Sequence, residues 1–272
     1  WYDIRLSHVD PRDTWDRSNG RIFCLQARDA VPLAPFDLER LSNDALIGFL
    51  SHPNRWFRET ARRVMADRAD GSLAPKLKEI IERERGVLAL EALWALHVSA
   101  GIDEEFALRQ LEHPNEFVRA WIIRLAGDEA KVPVRMREKL VMLARTESSN
   151  QVRSQLASSC KRWPVNDGLL IVRELLARYE DAGDKHIPLL LWWAIERNAV
   201  SSRDVILEML ADKTVWNAPI FKGTIATRLA QRFMAERNSE NFSTVVKLLA
   251  LAPDLESTGL LIRGVDEALR EG

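Results

Sequence analysis

Leu50-Ser51-His52-Pro53-Asn54-Arg55-Trp56-Phe57-Arg58-Glu59-Thr60-Ala61-Arg62-Arg63-Val64-Met65 decides the fold. Pro53 bars a preceding helix from continuing and pushes His52 toward an extended conformation. Asn54 is suited to cap a new helix, because its short side chain can accept from an orphan amide one turn on. Trp56, Phe57, Thr60, Ala61, Val64 and Met65 then recur at helical spacing as one stripe. Arg55, Arg58, Glu59, Arg62 and Arg63 lie off it. The phrase returns at Leu111-Glu112-His113-Pro114-Asn115-Glu116-Phe117-Val118-Arg119-Ala120-Trp121-Ile122, and more faintly at Ser149-Asn150-Gln151-Val152-Arg153-Ser154-Gln155-Leu156-Ala157. The chain is therefore built of repeats.

Working outward, helix pairs are predicted over 35–50 with 54–68, 73–84 with 87–99, 103–112 with 115–126, and 134–145 with 150–162. Superposing the second helices sets Arg58 against Ala89, Arg119 and Arg153, at steps of 31, 30 and 34 residues. Steps of this size belong to helix-pair repeats. Later helices are predicted over 169–180, 187–197, 202–211, 220–236, 242–251 and 255–270. No amphipathic pair can bury its stripe alone, so neighbours must stack into one core.

Residues 1–25 have a different texture. Tyr2, Ile4 and Leu6 alternate with polar residues, and Gly20 to Leu25 reads as a second strand entered through an Asn-Gly turn. Asp10, Asp13, Asp16 and Asn19 fall every third residue between them, the wrong spacing for a calcium loop of the EF type and a natural one for a solvated turn. A start at Trp1, inside a strand-like alternation, points to a piece of a longer protein. The expected organisation is a short two-stranded β segment and linker over 1–33, then a mostly α superhelix over 34–272.

Composition excludes more than it assigns. Of 272 residues, 46% are hydrophobic, enough for a continuous core, and the formal net charge is -1. That balance gives no global attraction to nucleic acid or an anionic membrane. The apolar runs are too short to cross a bilayer, and no signal peptide opens the chain. Cys24 and Cys160 cannot build a disulfide framework. No His or Cys spacing suits zinc, and Cys160, in the frame of Met65 and Ala126, reads as a small buried hydrophobe.

The helix openings Pro53-Asn54…Phe57-Arg58…Ala61, Pro114-Asn115…Val118-Arg119 and Asn150…Val152-Arg153…Ala157 resemble HEAT repeats over about residues 36–162. The start of the chain, from Trp1-Tyr2-Asp3-Ile4-Arg5-Leu6 to Arg21-Ile22, looks like the closing strands of a β-propeller. The propeller is of the kind found in large bacterial membrane-bound dehydrogenases related to quinone-dependent sugar dehydrogenases. In that family a HEAT array and a c-type haem domain follow the propeller. The resemblance implies a HEAT/ARM-like solenoid and an extracytoplasmic, multidomain redox protein. It supplies no catalytic residue, because the Cys-x-x-Cys-His that attaches haem is absent from this chain, and no cofactor is expected here.

The sequence thus supports a non-catalytic scaffold that docks or spaces neighbouring domains, or binds a protein partner. The alternative is an enzyme of the alkylpurine DNA glycosylase kind, which HEAT-like folds also host. Asn54, Arg58, Asn115, Arg119, Asn150 and Arg153 form the expected structural ladder, each arginine meeting carboxylates or carbonyls at the turns of adjoining repeats. Arg55, Arg62, Glu116, Trp192 and Trp193 are the candidates for an interaction surface. Trp56 and Trp121 are expected in the core. Nucleic acid and membrane insertion are not expected.

Overall fold

A computed structural model describes residues 25, 27–31, 36–128 and 130–270. The chain divides into two units, Trp1–Asp37 and Leu38–Gly272, and the second holds every helix among the described residues. The predicted strands and the aspartate-rich loop between them lie outside the described residues, save Leu25, which is extended into solvent. No strand occurs among the described residues.

The second unit is helical throughout. Its helices are α1 (Asn43–Phe49), α2 (Arg55–Arg68), α3 (Ala74–Arg83), α4 (Val87–Ser99), α5 (Glu104–Gln110), α6 (Glu116–Ala126), α7 (Val134–Thr146) and α8 (Asn150–Cys160). They continue as α9 (Val165–Leu176), α10 (Ile187–Glu196), α11 (Arg203–Leu210), α12 (Lys213–Asn217), α13 (Ala226–Met234), α14 (Ser239–Leu251) and α15 (Leu255–Arg270). A π-helical turn, Phe221–Ile225, leads into α13.

The helices fall into two layers. In one, α2, α4, α6, α8 and α10 touch in succession, followed by the π turn with α13 and by α15. In the other, α5, α7, α9, α11 and α14 touch in succession. Helices α1 and α3 extend this second layer through their pairing with α2 and α4. Between the layers runs one apolar core, from Leu46 and Val64 through Leu93, Ile122, Leu156, Ile171 and Ile195 to Phe233 and Leu261.

Local chemistry explains where the elements start. Asn54 and Asn115 accept from the amides of Trp56 and Phe117, both at 2.9 Å. Asp103 accepts from Phe106 N at 2.8 Å, opening α5. The predicted helix over 35–50 is broken, because the hydroxyl of Ser42 caps a fresh start at α1. Helix α9 begins at Val165, directly after Pro164, four residues before the predicted 169–180, since proline presets the first turn. The predicted 220–236 splits into the π turn and α13.

Trp56 is not in the core. Two aromatics in adjacent helical positions point about 100° apart, and Phe57 takes the inward direction. Its ring stacks on Phe49 at 5.6 Å and meets His52 at 4.4 Å, which leaves Trp56 53% exposed. Trp121 is half-buried, edge-on to Trp94 at 5.1 Å.

Candidate functional site

The most elaborate polar constellation is at the turns that open α2, α6 and α8. Arg58, Arg119 and Arg153 are each the fourth residue of their helix, and each guanidinium does the same two things. It reaches back to carbonyls of the preceding turn and forward to a carboxylate of the next repeat.

Arg58 donates from Nη1 to the carbonyls of His52 (2.8 Å) and Pro53 (3.0 Å), and from Nε to Glu91 Oε1 at 2.8 Å. Arg119 donates to the carbonyls of His113 (2.8 Å) and Pro114 (3.4 Å) and grips Glu147 with two bonds of 2.9 and 2.7 Å. Arg153 donates to the carbonyls of Glu147 (3.0 Å) and Ser148 (2.8 Å), and grips Asp181 at 2.6 and 2.5 Å. Paired, charge-assisted bonds of this kind fix orientation as well as adding energy.

The rungs are joined. Glu147 receives Arg119 on its side chain, the amide of Ser149 at 2.8 Å, and Arg153 on its own carbonyl. Arg178 adds a further bond to that carbonyl at 2.8 Å. Burial alone pushes the Glu147 carboxyl up, but the Arg119 and Ser149 bonds together outweigh it and hold the group below its ordinary value. The bond to Asp181 raises the Arg153 guanidinium further above its already high value, against the opposing effect of burial. Glu91, Glu147, Arg153 and Asp181 are all buried, and all are spent on one another.

The second repeat carries Ala89 where the others carry arginine. Here His113 fills the gap. Its Nδ1 accepts from Asn115 N at 3.0 Å, which leaves Nε2 to donate toward the carbonyls of Ile81 (3.0 Å) and Glu84 (3.2 Å). The imidazole is therefore neutral and acts as a strut between α3 and α6.

Sequence reasoning missed the acidic half of the ladder. Glu147 and Asp181 each lie 28 residues beyond their arginine, and that constant interval was the available signal. The same interval from Arg58 falls on Gly86, which has no side chain, so Glu91 from α4 takes the role. Asn150 does not repeat the work of Asn54 and Asn115. Ser149 occupies their frame position and caps α8, and Asn150 is the first helical residue.

The proposed surface residues divide. Arg55 is exposed and paired with Glu59 at 2.7 Å, and Trp193 is 44% exposed. Trp192 is in the core at 7% exposure, its neighbour having taken the outward direction. Arg62 is turned inward to Glu91 at 3.3 Å, with its guanidinium 4.9 Å from the Trp94 ring. Glu116 accepts from the hydroxyl of Ser149 and so ties α6 to the next turn. A guanidinium–indole–indole–guanidinium stack of Arg62, Trp94, Trp121 and Arg124 results, with Arg124 5.2 Å from Trp121.

A cleft of about 340 Å³ opens beside the Arg119–Glu147 pair, walled also by Lys139, Met142 and Pro114. Its charged groups are already bonded to each other. Cys160 is buried, and burial pushes its thiol far up, so it is not a nucleophile. Among the described residues no group of three or more His, Cys, Asp or Glu could hold a metal ion, and no helix is long and apolar enough to cross a membrane. The chain matches no protein-family model, no characterised protein and no solved structure.

Proposed function

We propose that this chain is a non-catalytic scaffold, a HEAT-like α-solenoid that docks or spaces neighbouring domains of a larger protein. One observation carries the reading. The buried ionisable groups Glu91, Glu147, Arg153 and Asp181 are bonded between successive turns and face no ligand. Groups so spent hold shape, and a stack of helix pairs offers extended surface as its function. The resemblance of residues 36–162 to HEAT repeats, and of the chain's start to a propeller's closing strands, favours a multidomain, extracytoplasmic redox protein as the setting. Its own propeller and haem domains are then the first partners to try.

The glycosylase reading has one feature in its favour: the Arg62–Trp94–Trp121–Arg124 stack beside buried Glu91. Weighing against it, Arg58 and Arg62 share Glu91 as counter-charge. The next helix, α8, presents uncharged Gln151 and Ser158 to solvent, so no continuous basic track is available to phosphates. Titrating the chain with fluorescent duplex and single-stranded DNA from about 50 to 200 mM salt separates the readings. The scaffold reading expects no binding at the lowest salt, together with saturable binding of a separately produced flanking domain of the full-length protein. Tight, steeply salt-dependent DNA binding overturns it.

A further inference from the structure

A second cleft, of about 220 Å³, lies at the opposite ends of the same helices, away from the arginine ladder. It is enclosed by the end of α4, the start of α5, the end of α6 and the start of α7. Gly101, at φ +77°, reverses the chain between α4 and α5 and lays Ile102 into the cleft. A side chain at that φ would be strained, so the turn is set by glycine. Ile102, Ile122, Leu125 and Met136 make its apolar walls.

One polar atom in this cleft has no partner. Glu104 lines it, and its Oε1 is sealed from solvent without any hydrogen-bond donor. The neighbouring Glu105 is engaged by Arg135, on which Glu104 exerts only a weaker, longer-range attraction. A carboxylate oxygen sheltered and unbonded is costly, and such groups call for a specific explanation. His97 and Lys131 stand at the rim, exposed, and neither is bonded to Glu104.

We infer that this cleft binds a small organic ammonium ion with an apolar tail. The ammonium head donates to Glu104 Oε1, and the tail lies against Ile102, Ile122 and Met136. The arrangement is that of small-molecule sites in general: an apolar cleft with one convergent polar group that fixes orientation. Its volume, below the ~300 Å³ typical of drug-sized sites, restricts it to small ligands. A water molecule needs two to four polar partners, and a cleft whose sheltered walls are otherwise apolar offers it one.

The test uses the full chain with ¹³C-labelled isoleucine and methionine methyl groups, titrated with n-hexylammonium, n-hexanol and hexanoate. Saturable shifts confined to Ile102, Ile122 and Met136 are expected with hexylammonium, and weaker or no binding of the other two. Glu104→Gln, which keeps the shape and removes the charge, should weaken hexylammonium about tenfold or more. Equal binding of hexanol and hexylammonium overturns the inference without recourse to any variant. So does tighter binding of hexanoate, which would make the rim cations the recognising groups. Unchanged affinity in Glu104→Gln, or no saturable shift at all, also overturns it and leaves the oxygen to water.

Discussion

Glu147 shows most clearly what a single residue does in this molecule. Its side chain accepts from Arg119, its own carbonyl accepts from Arg153, and both residues of its ion pair are largely out of solvent. The carboxyl sits below its ordinary value in the folded chain. In the unfolded chain it titrates near 4.3. Its contribution to stability is therefore fully present above about pH 4.3 and is lost as pH falls through the lower folded value. Replacing Glu147 with Gln should cost on the order of 2 kcal/mol at neutral pH, the worth of a charge-assisted bond. Because the loss in the parent chain comes with acid, the urea-denaturation stabilities of parent and variant should converge between about pH 5 and pH 3. Parallel curves would show that the carboxylate charge does not carry the contribution. His113 makes the complementary point: where the frame lacks an arginine, a neutral ring bonds carbonyls instead of a carboxylate pair.

At the scale of the element, packing is decided by close approaches that a helical pattern does not display. A Cβ on Gly264 would lie 2.1 Å from the carbonyl oxygen of Thr227, so α13 and α15 can touch only because residue 264 has no side chain. Gly259, on the same helix, would meet nothing within 4 Å. Gly264→Ala should therefore destabilise by about 1–3 kcal/mol through forced separation of the pair. Gly259→Ala should stabilise by roughly 0.5–1 kcal/mol, since alanine restricts the unfolded helix. Thermal melts of the two variants should move in opposite directions. Most helices were legible in the sequence because their ends are chemical: Gly86 and Gly101 bracket α4, and Pro-Asn opens α2 and α6. What was not legible depended on partners far along the chain. Ser42 was hidden inside a continuous apolar pattern, α12 is a single short turn capped by Asp212, and nothing local said whether Trp56 or Phe57 would face inward. The ladder's arginines were visible by repetition. Their carboxylates were not, because a pair 28 residues apart has no local signature.

Across the whole helical unit, the two layers are tied from repeat to repeat by different means. On the α3–α5–α7–α9 side the links are exposed pairs such as Lys76–Asp44, Arg109–Glu82 and Arg145–Glu174, each worth little in water. On the α2–α6–α8 side the links are buried and multiply bonded. Breaking one partner of a buried pair leaves the other charge stranded, whereas replacing both with apolar groups is close to neutral. An array whose repeats touch only neighbours propagates such a break along its length. If the buried ladder exists to register one repeat on the next, its worth lies in the pair and not in either residue. The decisive measurement is a double-mutant cycle by urea denaturation on Arg153→Met and Asp181→Leu, the pair with exposures of 4% and 2%. Each single change should cost about 3–5 kcal/mol, and the double variant much less than their sum. Single costs below about 0.5 kcal/mol that simply add would contradict the ladder as the device that joins the repeats.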